Sequence, residues 1–199
     1  MFKRKCKITF ITHGATVHSV DGIISDSEKY PKLNDWGEEE IEKVCEILMG
    51  RAVQYHKIYT SSSARCTQSA QIIAKLFKKR ITTIDLPARK HGEWCGQSYS
   101  DIFEKYGTEA ITKTPKGGES LKSFNKRVAD TIYKLIEENR GNRIIIVTTP
   151  DVVQSAIAQT LELTGENQFK VLVKTGSLTQ ISYFEGEWSS IIYSDYKPL

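Results

Sequence analysis

The sequence predicts an α/β protein with three layers: a mostly parallel central sheet that carries helices on both faces. Strand-like and helix-like segments alternate along most of the 199 residues, as expected for such a fold. The most apolar segment, RIIIVTT at 143–149, is typical of a parallel strand that is buried on both faces. The length suits a single domain, residues 1–199, and no internal repeat or linker divides it.

Six segments have the residue pattern of β-strands. The first, KITFIT, is rich in β-branched and aromatic residues and ends at a His-Gly pair. The run at 143–149 should lie at the centre of the sheet, and the last two segments, joined through Gly186, should form a hairpin at an edge. The predicted strands are 7–12, 56–61, 81–84, 143–149, 177–184 and 187–194.

Four segments place apolar residues at helical spacing and should pack on the sheet. The predicted helices are 36–50, 64–79, 120–139 and 151–163. The first begins with the acidic run WGEEE, which suits the positive end of a helix dipole, and Gly50 is a candidate C-cap. Residues 85–118 should be mostly irregular, and a loop of this length in a compact domain is usually functional.

The composition indicates a soluble globular protein, which we expect in the cytoplasm. No apolar run is long enough to span a membrane, and the basic N-terminus lacks the pattern of a signal peptide. The net charge of +4 is modest, and the basic clusters lack interleaved aromatic residues, which argues against a nucleic-acid partner. Four widely spaced cysteines fit reduced thiols better than a zinc site or a disulfide framework. We therefore expect no metal and no cofactor.

Chemistry is expected at the carboxyl ends of the parallel strands, where ligands bind in open α/β sheets. The loops that follow such ends are Thr12 to Gly14, Ser61 to Arg65 and Thr149 to Asp151. A histidine and an arginine that reach one crevice from separate strands can form a phosphate site. On the residues alone, His13 is either a nucleophile for phosphate or an ordinary hydrogen-bonded loop histidine, and both interpretations stay open.

Six motifs stand in order along nearly the whole chain: FITHGAT, KLNDWGEEE, YTSSSARCTQSAQIIA, HGEWCG, PKGGESLKSFNKRV and IIIVTTPDVVQSA. Together they resemble the motifs of the histidine phosphatase superfamily, the phosphoglycerate mutase-like proteins. The first resembles the family's Arg-His-Gly-Glu-Thr signature, and the last falls where the family has Val-Ser-His-Gly-Gly. The resemblance implies the three-layer fold of that family and its phosphoryl-transfer chemistry.

In that chemistry a neutral imidazole attacks the phosphoryl group and becomes a phosphohistidine. Two arginines and a second histidine bind the equatorial oxygens, and a glutamate delivers a proton to the leaving oxygen. Carried over by position, the resemblance makes His13 the nucleophile and Arg65 the second phosphate-binding arginine. Thr12, Gly14 and Thr149 occupy the remaining phosphate-binding positions.

Three core positions have lost the group that the family uses. Thr12 stands in place of the first arginine, Thr149 in place of the second histidine and Ala88 in place of the acid. A threonine hydroxyl is a neutral donor and cannot replace a guanidinium or imidazolium charge. Pro150 and Asp151 follow Thr149 where the family has two glycines, and an inward-facing Asp151 would repel phosphate.

Other residues could supplement this incomplete core. Glu93 is a candidate substitute for the missing acid, and Glu119 in the GGES segment is another. His91 could reach the pocket and His18 could line its mouth, but we favour a packed or exposed loop position for both. We interpret Cys66 as a buried helix cysteine. No histidine follows His91, so no shift of the alignment restores the second histidine.

These departures leave several hypotheses. The protein is either a catalytically impaired member of the family, a pseudoenzyme with a binding or regulatory role, or an active phosphomonoesterase that forms a phosphohistidine at His13. A phosphoglycerate mutase is a third hypothesis, which the short chain disfavours. The expected partner is a phosphorylated small molecule or a phosphoprotein, and the last strand pair could also pair across a homodimer.

Overall fold

One mixed sheet of six strands organises the computed structural model, which describes residues 3–26, 31–186 and 188–197. The strands are β1 (Arg4–Thr12), β2 (Lys57–Ser61), β3 (Ile81–Ile84), β4 (Arg143–Thr148), β5 (Leu178–Phe184) and β6 (Ser189–Tyr196). In the order β3-β2-β4-β1-β5-β6, the first four strands are parallel, while β5 and β6 pair antiparallel. The predicted α/β fold with a mostly parallel sheet is confirmed. Glu187, the first residue predicted for the last strand, lies outside the described residues.

β2, β4 and β1 lie side by side, with their carboxyl ends at one edge of the sheet. β4 lies between β2 and β1, as its apolar sequence predicts. The register pairs Thr12 with Thr148 and Thr60 with Val147, so these strands end at the same level. The loops that follow them therefore emerge together, at the edge where open α/β sheets bind ligands.

Helices cover both faces of the sheet. They are α1 (Val17–Val20), α2 (Asp35–Gly50), α3 (Ala64–Phe77), α4 (Tyr99–Tyr106), α5 (Leu121–Glu138) and α6 (Pro150–Thr160). Ile144 and Ile146 of β4 join a core with α5 and α6, while Ile145 and Val147 join a second core with α2 and α3. All four side chains are fully buried, and each contributes roughly 1.5–3 kcal/mol to the stability of the fold. This alternation confirms the three-layer architecture.

The segment predicted to be irregular contains a helix. α4 begins after Ser98, whose hydroxyl accepts a hydrogen bond from the backbone N–H of Asp101 at 3.0 Å. Short 3₁₀ turns at Gly92–Trp94 and Gly107–Ile111 flank it. Within α4 only Ile102 is buried, although Tyr99, Ile102, Phe103 and Tyr106 follow the i, i+3, i+4, i+7 spacing of a helix, a pattern that the prediction overlooked. The prediction of irregular structure is therefore wrong for residues 99–111.

The C-cap of α2 and the bounds of α6 also differ from the prediction. Gly50 lies inside α2, and the C-cap is Arg51 in a right-handed conformation, so this end needs no glycine. α6 begins at Pro150, in the first turn where a missing N–H breaks no helical hydrogen bond, and ends at Thr160 rather than at 163. Among the described helices, none has the length and apolar character needed to cross a membrane.

Candidate functional site

A cavity of about 590 Å³ opens at the carboxyl edge of the parallel strands. Its wall brings together His13, Arg65 and Thr149, which lie on three separate loops. The charged residues that line it, within the described part of the chain, are Arg65, Arg89, Asp151, Lys174 and Lys197. The volume suits a small molecule, and the excess of cations favours an anion.

His13 lies directly after β1 and is 5% exposed. Its backbone N–H donates to the carbonyl of Thr148 at 2.9 Å, and its ring Nδ1 lies 2.8 Å from the carbonyl oxygen of Gly14. A carbonyl can only accept, so Nδ1 carries the proton and Nε2 keeps a lone pair. Burial and the charge of Arg65 lower the pKa of His13 to about 3. The imidazole is therefore neutral near pH 7, the state that a nucleophile requires.

Gly14 supports the loop by close packing against α2. A Cβ on Gly14 would lie 2.0 Å from the carbonyl oxygen of Gly37, closer than any side chain could fit. The N–H of Gly14 donates to the hydroxyl of Ser69 at 3.2 Å, and Gly14 is absent from the described cavity wall. The geometry therefore gives Gly14 a packing role and leaves its predicted contact with phosphate without support.

Arg65 reaches the cavity from the first turn of α3. The residue is buried, and one terminal nitrogen donates to the carbonyl of Ser25 at 3.3 Å. This contact fixes the guanidinium at the cavity wall, close enough to His13 for its charge to lower the pKa of the imidazole. Both residues can therefore contact one bound anion.

Thr12 does not contribute to the cavity wall that the described residues form. Its hydroxyl donates to the carbonyl of Lys174 at 2.7 Å and accepts from the backbone N–H of Ser177 at 2.8 Å. These bonds tie the end of β1 to the loop that precedes β5. Thr12 is thus a structural residue here, and the prediction that it binds phosphate does not fit its geometry.

The start of α6 is occupied by a carboxylate. Asp151 accepts hydrogen bonds from the hydroxyl of Thr149, from the N–H of Val152 at 2.9 Å and from the N–H of Arg89 at 2.6 Å. A helix N-terminus attracts anions, and Asp151 already fills that position. Asp151 also lines the cavity, the arrangement in which we expect its charge to repel phosphate.

Neither substitute acid reaches the cavity. Glu93 is exposed and lies outside the described cavity wall, while Ala88, at the position of the acid, lies in it. Glu119 accepts two hydrogen bonds from Arg127, at 2.8 and 2.9 Å. Burial raises the pKa of Glu119, but these bonds and the charge of Arg127 lower it. The pKa of Glu119 therefore lies below its ordinary value. Among the described residues, Asp151 is the one carboxylate in the cavity wall.

Two histidines for which we favoured a packed or exposed loop position line the cavity. His91 and His18 each have a buried Nδ1 that finds no hydrogen-bond partner among the described residues. The backbone N–H of His91 donates to the carboxylate of Asp26 at 2.7 Å, which fixes the loop. Burial lowers the pKa of His91. The less favoured alternative, in which His91 reaches the pocket and His18 lines its mouth, agrees with this geometry.

Sequence reasoning also missed Arg89 and Tyr99. Arg89 is buried, and its guanidinium donates to the carbonyls of Glu119 and Lys113, both at 3.0 Å. Tyr99 also lines the cavity, and it is 51% exposed. Both belong to the segment 85–118, whose length was the available signal, but length does not say which side chains face the cavity.

The thiols lie apart from this chemistry. Cys66 follows Arg65 but is buried, and burial raises its pKa to about 11, which confirms the interpretation as a buried helix cysteine. Cys6, Cys45 and Cys95 are also free thiols. Over the described ranges, no three His, Cys, Asp or Glu side chains are arranged to hold a metal ion.

The chain is similar to known proteins along nearly its whole length. A family model described as histidine phosphatase superfamily (branch 1) matches residues 8–195. The chain is 26% identical to phosphoglycerate mutase-like protein 4 of Arabidopsis thaliana, over 97% of this chain and 86% of that protein. It is 24% identical to a broad-specificity phosphatase of Saccharomyces cerevisiae, over 94% of this chain and 83% of that protein. Among solved structures, mycobacterial hydrolase 1 matches with a TM-score of 0.86 at 18% identity, over 96% of this chain and 99% of that one.

Proposed function

Because the chain belongs to the histidine phosphatase superfamily, we propose that it binds phosphomonoesters in the cavity at His13 and Arg65 while its phosphatase chemistry is impaired. In this role it is a binding or regulatory protein. Relatives named as a phosphatase and as mutase-like support a phosphoester as the ligand. The cationic wall of the cavity supports the same class.

One observation carries the impairment: the carboxylate in the described cavity wall is Asp151, and hydrogen bonds occupy both of its oxygens. A carboxylate held in this way is an acceptor and has no proton to give to a leaving oxygen. A general acid is worth roughly a factor of 10² to 10⁴ in rate. Loss of one donor to the developing charge costs about 2.7–4 kcal/mol more. Even if these two losses are strongly non-additive, they support a catalytic rate that is reduced by several orders of magnitude.

The alternative is an active phosphomonoesterase, and the state of His13 favours it. The ring is neutral and carries its proton on Nδ1, so Nε2 can attack phosphorus. His91, with a buried Nδ1 that lacks a described partner, is then the candidate proton donor. Burial lowers the pKa of His91, so little of it carries the extra proton near pH 7, and this weakens the alternative.

Binding of phosphate and vanadate, measured by calorimetry, tests the first half of the proposal. The R65A variant should lose most of the affinity. Arg65 lines the cavity and stands at the position of the family's second phosphate-binding arginine. R80A removes an exposed arginine outside the described cavity wall and should bind as wild type does. Equal affinity in wild type and R65A, or no binding to either, would refute the site.

Hydrolysis of an aryl phosphate tests the second half. We expect a kcat far below the usual enzyme range of about 1–10³ s⁻¹. A wild-type kcat within that range, abolished by H13A, would establish the active phosphomonoesterase instead.

A further inference from the structure

One part of the cavity wall is apolar. It is formed by Leu121 and Phe124 at the start of α5 and by Phe169 and Leu172 in the segment after α6. Leu121 and Phe124 are buried, but Phe169 is 36% exposed and Leu172 is 70% exposed. Large apolar side chains that stay exposed in a concave site are typical of a ligand-binding surface.

Polar contacts fix the segment that carries Phe169 and Leu172. The Gln168 side chain, itself buried, accepts a hydrogen bond from Asn125 at 2.7 Å, and Asn125 accepts one from Ser155 at 2.8 Å. The amide nitrogen of Gln154 donates to the carbonyl of Val171. These bonds tie the segment to α5 and α6 on both sides of Phe169. Phe169 and Leu172 are therefore exposed even though the segment that carries them is anchored.

The same bonds leave few polar groups for a ligand on this wall. Gln154 and Gln168 line the cavity, and these bonds use the amide nitrogen of Gln154 and the amide oxygen of Gln168, which leaves one polar atom on each side chain. A hydroxylated alcohol, such as a sugar, would lose water here and find few replacement partners, which is unfavourable. An apolar group would instead cover Phe169 and Leu172 and gain free energy by removing apolar surface from water.

On the basis of the proposed function, we propose that the ligand is a phosphomonoester whose alcohol is apolar, namely an aryl or branched alkyl phosphate. Its phosphate lies at His13 and Arg65, and its apolar group lies against Phe169 and Leu172. The cavity of about 590 Å³ has room for a phosphate and a fused-ring group of small-molecule size.

Calorimetry with inorganic phosphate, glycerol 2-phosphate and 1-naphthyl phosphate tests this assignment. Wild type should bind 1-naphthyl phosphate at least about tenfold more tightly than glycerol 2-phosphate. The variant F169S/L172S should lose that difference and keep the affinity for inorganic phosphate. L161S is the matched control, because it removes a leucine that is 50% exposed and lies outside the described cavity wall. This variant should keep the preference for 1-naphthyl phosphate.

The outcomes separate this inference from the proposed function. In one outcome, inorganic phosphate binds, R65A abolishes that binding, and 1-naphthyl phosphate binds no better than glycerol 2-phosphate. The apolar ligand is then refuted and the phosphate site stands. If none of the three probes binds, both are refuted. If F169S/L172S and L161S lose the preference equally, the apolar wall does not select the ligand.

Discussion

The carboxylate of Asp151 accepts a hydrogen bond from the backbone N–H of Arg89, across 2.6 Å. This bond joins the first turn of α6 to the segment 85–118, which covers the cavity. Asp151 thereby has two opposite effects. It anchors the loop that completes the site, and it places a negative charge where the family resemblance leads us to expect a bound phosphate.

The variant D151N should therefore lower stability and raise anion affinity together. Hydrogen bonds to a charged group contribute roughly 1.5–3 kcal/mol, and an amide keeps only part of that, so we expect a loss of about 1–2 kcal/mol in the free energy of unfolding. Removal of the negative charge should strengthen phosphate binding. The measurements are denaturant unfolding and calorimetry. D130N, which neutralises an exposed carboxylate on α5, should change neither quantity appreciably, and a D151N that matches it would contradict this account.

Restoring two missing groups should recover catalysis. Ala88 and Thr149 line the cavity, so the variant A88E/T149H places a carboxylic acid and an imidazole inside it. We expect kcat/KM for an aryl phosphate to rise by roughly 10²–10⁴, with little effect from either single change, because the groups act as a unit. Thr12 is left unchanged, since its hydroxyl is bonded to Lys174 and Ser177. A88Q/T149N is the control of matched size, and a gain that survives H13A would rule out His13 as the nucleophile.

Acidification should destabilise the protein through His13. Its pKa is about 3 in the folded state against 6.5 for an ordinary histidine, so the unfolded chain binds more protons between those values. Stability therefore rises with pH over this interval, and this contribution is complete above about pH 6.5 and is lost as the pH falls towards 3. Unfolding curves at pH 7, 6, 5 and 4 should show wild type losing up to about 1.4 kcal/mol per pH unit more than H13N. Parallel losses in the two proteins would show that His13 does not titrate this way.

The contact between the His13 loop and α2 should tolerate no side chain. A Cβ on Gly37 would lie 2.1 Å from the carbonyl oxygen of Ala15, whereas a Cβ on Gly50 of the same helix meets nothing within 4 Å. G37A should cost about 1–3 kcal/mol or more through overpacking, while G50A should be neutral or gain up to about 1 kcal/mol of helix propensity. Thermal unfolding of both variants measures the difference. Equal melting temperatures would mean that the loop moves away from α2 without cost.

The sequence by itself determined the layers of this protein and the place of its site. The apolar run of β4 predicts a central strand because a strand buried on both faces needs apolar residues throughout. The loops after β1, β2 and β4 share one edge because parallel strands in register must end together. Such patterns are local in the chain, so His13, Arg65 and Thr149 could be assigned to one cavity in advance.

Only the tertiary structure decided what each polar group does there. Thr12 ends β1 and Thr149 directly follows β4, yet the hydroxyl of Thr12 bonds to residues near 174–177 and that of Thr149 to Asp151. His91 reaches the cavity, while Glu93, close to it in the chain, is exposed outside the described wall. Hydrogen-bond partners lie far away in sequence, and no periodic pattern encodes them. The direction of a side chain at a loop is set by the segments that pack on it, which is why the choice between an active and an impaired site depends on the fold.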